Sequence, residues 1–121
     1  RGICIGIIPC ASLSDRATPR HGYPNEFVEL AVYSHLPYSG EQAVDDLSRN
    51  HINVLSCAAL VALPGEAGTV SELTLAIRYG KPVMAYSADP DLVRHFPHAV
   101  RRAGSIDDVK EFLRAHFEAA L

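Results

Sequence analysis

Ala62-Leu63-Pro64-Gly65-Glu66-Ala67-Gly68-Thr69-Val70-Ser71-Glu72 is the stretch from which the fold can be read. The apolar run Ala58 to Leu63 ends abruptly at Pro64-Gly65, and Gly68 opens a helical pattern over 69–79. That succession reads as a strand, a tight turn and a helix start. Such a turn leaves backbone N–H groups unpaired at the positive end of the helix dipole, which is a site for an anion and most often for phosphate. Thr69 adds a hydroxyl, and Glu72 lies one turn inside the helix, within reach of whatever the turn holds. Two glycines alone fit a plain turn equally well, so the flanking sequence decides.

Downstream, Val70, Leu73, Ala76 and Ile77 form the inward stripe of the 69–79 helix. Gly80 is a C-cap, Lys81-Pro82 ends the helix, and 82–86 is the next strand. Asp89-Pro90-Asp91 begins a short turn or helical piece, and 98–103 reads as a last short strand. Ser105-Ile106-Asp107-Asp108 starts a closing helix, with Val109, Phe112, Leu113 and Phe117 on its apolar side.

Upstream, Ser39 and Gln42 make a capping box for a helix over 41–56. Its apolar face holds Ala43, Val44, Leu47, His51, Val54 and Leu55, while Asp45, Asp46, Arg49 and Asn50 fall on the wetter side. Residues 27–33 read as a short strand. Residues 10–26, rich in Ser, Pro, Arg, Asp and Gly, read as a long loop that either borders a site or lies on the surface. Ile3 to Ile8 is β-branched and apolar throughout, the pattern of a strand buried on both faces. As the first element of a short chain, it is expected to need a neighbour from upstream or from another subunit. Alternating strands and helices define an α/β class with a mainly parallel sheet and helices on both faces.

A chain of 121 residues that is 48% apolar suits one domain with a real core. The net charge of −3 and the absence of a basic cluster weigh against nucleic acid or an anionic membrane as partner. No apolar run approaches a membrane span, and no signal-peptide pattern is visible. Cys4, Cys10 and Cys57, odd in number and without CxxC spacing, fit reduced thiols in the cytoplasm. His95 and His98 flank Pro97, which disfavours a helical ligand pair, and no metal site is expected.

Ser48-Arg49-Asn50, the run Val54 to Leu63, Pro64-Gly65-Glu66-Ala67-Gly68-Thr69-Val70-Ser71-Glu72 and Gly80-Lys81-Pro82-Val83 together resemble the Lonely Guy family. That family's pattern is an Arg on the preceding helix followed by Pro-Gly-Gly-x-Gly-Thr-x-x-Glu. Gly6-Ile7-Ile8-Pro9 resembles its Gly-x-x-Pro at the end of a strand, so the similarity covers most of the chain. The same superfamily holds the molybdenum-cofactor carrier proteins. The resemblance implies a Rossmann-like fold, a homodimer and hydrolysis of the N-glycosidic bond of a nucleoside 5′-monophosphate to free base and ribose 5-phosphate. It implies no cofactor. Glu72 matches the carboxylate that faces the positive charge building on the ribose, and Arg49 the arginine that orients substrate and carboxylate. Pro64, Gly65, Glu66, Ala67, Gly68 and Thr69 match the loop that holds the phosphate. Some members carry a lysine decarboxylase label, which does not suit this chain, because no lysine sits in a recognisable pyridoxal-phosphate setting.

Two departures bear on function. Glu66 stands where the family has its second glycine, and a carboxylate there repels phosphate unless it turns away or pairs with a cation. The family's N-terminal strands and their glycine-rich turn have no counterpart here, so half of the nucleotide site is expected to be missing. The segment 73–83 is compact and the chain has no tryptophan, which is closer to the carrier branch than to the phosphoribohydrolases. Three readings therefore stand: a nucleotide phosphoribohydrolase, a non-catalytic carrier of a phosphorylated pterin or nucleotide, and a member that keeps the fold alone.

Overall fold

The computed structural model describes residues 2–10, 12–18, 21–38 and 42–117. The elements follow in the order β1 (Ile5–Pro9), α1 (Leu13–Ala17), β2 (Leu30–Ser34), α2 (Asn50–Ser56), β3 (Leu60–Ala62), α3 (Ala67–Arg78), β4 (Val83–Tyr86), a 3₁₀ turn (Pro90–Val93), β5 (Arg101–Ala103) and α4 (Ile106–Phe117). Every strand pair is parallel. β3 pairs with β4 from Leu60↔Val83 to Ala62↔Ala85, so α3 is the crossover between neighbouring strands, as expected for an α/β unit.

The strands fall into two sheets, β1-β2 and β3-β4-β5, rather than the single sheet expected. Strand periodicity explains how β1 ends up with one neighbour. Cys4 O accepts from Leu30 N, so backbone groups of even-numbered residues face β2 and those of odd-numbered residues face away. On that other edge, the Ile7 carbonyl accepts Arg49 Nη1 at 2.8 Å. A side chain occupies the position where a further strand would pair. Of its side chains Ile8 is buried while Ile3 and Ile5, on the opposite face, are exposed, which corrects the expectation of a strand buried on both faces.

The larger sheet is covered on both faces, and its side-chain alternation assigns them. Ala62 and Ala85 pack with Leu73, Val93, Phe96 and Val100 on the α3 side. Met84 packs with Ala103 and Phe112 on the α4 side. α2 joins through Val54, which meets Leu75 and Ala76 of α3.

Other boundaries moved for identifiable reasons. The helix expected over 41–56 is confined to Asn50–Ser56, because a turn runs through 42–49 and Ser48 and Asn50 are buried polar residues with specific partners. Leu47 and Leu55, expected on its inner face, are exposed. Ser39, half of the expected capping box, lies outside the described residues. The 10–26 loop contains α1, capped by Ser12 Oγ accepting from Asp15 N. The second strand begins at Leu30 instead of 27, after Phe27 N bonds to Asn25 Oδ1 in a local turn.

The C-terminus of α3 and the N-terminus of α4 have the expected capping chemistry. Gly80 adopts φ +62, its N–H donates to Ile77 O, and Lys81 N donates to Ala76 O, a Schellman closure of α3. At α4, Ser105 Oγ accepts from Asp108 N and Asp108 Oδ2 accepts from Ser105 N, a reciprocal capping box. The Ser105 hydroxyl also donates to Asp108 Oδ2 at 2.7 Å, and this bond lowers the Asp108 carboxyl below its ordinary value. Among the described residues no helix is long and apolar enough to cross a membrane.

Candidate phosphate loop and its carboxylate

β3 delivers its carboxyl end into Leu63-Pro64-Gly65, and α3 begins at Ala67, two residues earlier than expected. Ala67, Gly68 and Thr69 therefore form the first helical turn rather than the loop proper. Glu66 occupies the N-cap position in an extended conformation (φ −96, ψ −152), and its carbonyl accepts from Val70 N. Its side chain makes no capping bond and is exposed. The N-terminus of α3 thus lacks an internal side-chain acceptor, and its first N–H groups remain for an external anion.

The two glycines differ in role. A Cβ built on Gly65 would collide with Thr69 Oγ1 and lie 3.0 Å from Thr69 Cβ, so the absence of a side chain lets the turn close onto Thr69. A Cβ on Gly68 would meet nothing within 4 Å. The space around the turn therefore demands a glycine at 65 but not at 68.

One side chain fixes the turn and another the first turns of α3. His95 Nε2 donates to the Gly65 carbonyl at 3.0 Å, and its ring packs edge-on against the buried Phe96. Because a trans peptide is planar, holding the Gly65 oxygen toward His95 directs the Glu66 N–H the opposite way. On the α2 side, buried Asn50 donates through Nδ2 to Gly68 O at 3.3 Å and to Ser71 Oγ at 3.1 Å. Asn50 was assigned to the wet face on helical periodicity, and its burial corrects that.

Glu72 is half-buried one turn into α3, and its Oε1 accepts Asn53 Nδ2 at 2.9 Å. Arg49 forms no ion pair with it. The Arg49 guanidinium spans the Ile7 carbonyl and the face of Tyr23, 5.7 Å from the ring centroid, and its Nε is buried without a partner among the described residues. Arg49 and Asn53 are nevertheless one turn apart on the same face of α2, and both line a cleft of about 600 Å³ that runs along β1 past Ile5, Ile7, Tyr23 and Cys57. That volume is in the range of small-molecule sites. The Asn53 amide therefore reaches from the cleft wall to Glu72. Among the described residues no three His, Cys, Asp or Glu side chains come together as metal ligands.

A profile of the SLOG cluster4 family matches residues 1–113, and the SLOG superfamily includes the Lonely Guy proteins. Such a match supports a nucleotide-related function. Searches against curated proteins and against solved structures gave no match.

Proposed function

Because the chain belongs to the SLOG cluster4 family, we propose that it is a nucleoside 5′-monophosphate phosphoribohydrolase. Water and a nucleoside monophosphate give free base and ribose 5-phosphate. The observation that carries this reading is the turn from β3 into α3, with unpaired N–H groups and Glu72 separated by a single helical turn. The N–H groups from Glu66 to Thr69 and the Thr69 hydroxyl hold the 5′-phosphate. The ribose then lies toward Glu72. As the glycosidic bond lengthens, its electrons leave with the base and positive charge builds on the ribose ring, where the Glu72 carboxylate stabilises it. Water adds at the vacated carbon, and its proton balances the departing base. Arg49, on the cleft wall, orients the substrate.

Incubation with a panel of nucleoside 5′-monophosphates, monitored for free base and ribose 5-phosphate in equal amounts, tests the activity. A carrier of molybdenum cofactor or a related phosphorylated ligand is the second reading. It is supported by the direct run from Leu73 through Gly80 into β4 without an insertion, and it predicts binding with no base release. The proposal includes a cytoplasmic two-fold homodimer, with the exposed Leu47, just before α2, and Leu55, within it, as part of the interface.

A further inference from the structure

We infer that Asn53 is the residue that positions Glu72 for the reaction, a role the sequence pattern gives to Arg49; the inference rests on the phosphoribohydrolase reading. Three observations lead to it. Asn53 Nδ2 donates to Glu72 Oε1 at 2.9 Å across the α2–α3 contact. Arg49, one turn earlier on α2, directs Nη1 to the Ile7 carbonyl instead. Glu72 Oε2 has no hydrogen-bond partner among the described residues, so one carboxylate oxygen is held and the other is available.

The choice of a neutral donor has a physical consequence. An arginine in contact with Glu72 would cancel most of the field that the carboxylate exerts on a nearby cation. An amide fixes the orientation of the carboxylate and leaves its full negative charge to act on the ribosyl cation. Asn53 also lines the cleft beside Tyr23 and Arg49, so its amide links that cleft wall to Glu72, which does not itself line the cleft. Its backbone is fixed independently: Asn53 N donates to Arg49 O within α2, and the neighbouring Val54 is fully buried against Leu75 and Ala76. The amide is therefore anchored rather than free to follow Glu72.

A double-mutant cycle on base release tests this. Asn53→Leu keeps the side-chain size and removes the donor. It is expected to lower kcat by about tenfold, the equivalent of about 1.4 kcal/mol, with KM and the affinity for ribose 5-phosphate within about twofold of wild type. In the Glu72→Gln background the same substitution should change kcat by less than about twofold, because the group it positions is gone. Asn53→Asp, which sets a second carboxylate against Glu72, should be at least as damaging as Asn53→Leu. An equal fold-loss from Asn53→Leu in both backgrounds, or a loss confined to KM, overturns the inference while leaving the activity standing. No base release from wild type overturns the phosphoribohydrolase reading, and this inference falls with it.

Discussion

Gly65→Ala is the substitution for which the structure gives the sharpest expectation. The new Cβ would fall onto Thr69 Oγ1 and lie 3.0 Å from Thr69 Cβ. Rotating Thr69 about χ1 moves Oγ1 away, but threonine is β-branched, so a methyl or the hydroxyl faces the turn in most rotamers, and Cβ does not move at all. The backbone between 65 and 69 has to open by several tenths of an ångström. Overpacking of this kind costs about 1–3 kcal/mol. With a urea dependence of about 1–3 kcal/mol per molar, the unfolding midpoint should fall by roughly 1 M. Opening the turn also misaims the N–H groups that receive the anion, and losing one charge-assisted bond of about 1.5–3 kcal/mol weakens phosphate-ligand affinity by roughly tenfold or more. Gly68→Ala is the matched control. Its Cβ enters open space, and removing a helical glycine should raise stability by about 0.5 kcal/mol. Thr69→Ala should relieve part of the Gly65→Ala defect, because it deletes the atom in closest conflict. Urea titration and isothermal titration calorimetry with ribose 5-phosphate measure both effects. Equal midpoints and affinities for the Gly65→Ala and Gly68→Ala proteins would refute the assignment of the turn's geometry to Gly65.

Three further outcomes are expected. Asn50→Leu leaves Ser71 Oγ and Gly68 O without their buried donor and should destabilise the protein by about 1–3 kcal/mol, read as a lower denaturant midpoint; an unchanged midpoint would mean the amide is dispensable. Asp108 has its carboxyl lowered by the Ser105 hydroxyl, so its capping contribution to α4 should be complete above the ordinary carboxylate range and lost as pH falls through the lowered value. Side-chain NMR titration should show the Asp108 pKa returning upward in Ser105→Ala, and an unmoved titration would show that another group sets it. Sedimentation at micromolar concentration should give a dimer, with Leu47→Glu shifting it toward monomer, whereas a monomeric wild type would remove the homodimer from the proposal.

What could be read from the sequence is concentrated where the signals are local. β3, the turn, α3, Gly80 and β4 were legible because an apolar run, a Pro-Gly break, a helical stripe and a C-terminal glycine follow one another without interruption. Glu72 and the turn proposed to hold phosphate belong to that local pattern. The pairing of β1 was not, because an apolar strand reads the same whether its second edge meets a strand or an arginine side chain. Helix α2 was drawn too long because apolar periodicity continues backward through Val44 and Ala43, although those residues sit in a turn. Its polar residues carried the missing information. Periodicity places Asn50 on the wet face but it is buried, and the side chain that bonds Glu72 is Asn53 rather than Arg49. His95 was considered only as a metal ligand, yet it holds the Gly65 carbonyl 30 positions away. Hydrogen bonds spanning 19 or 30 residues have no signature in spacing.

The central claim is that Glu72 acts on a ribosyl cation formed from a nucleotide held at the α3 N-terminus. Base release from a saturating nucleoside 5′-monophosphate by wild type and by Glu72→Gln tests it most directly. The substitution is nearly isosteric, so folding and ribose 5-phosphate affinity should remain within about twofold, while turnover should fall by roughly a hundredfold or more, the scale of one lost electrostatic contact in the transition state. Undiminished base release by the Glu72→Gln protein would contradict the account.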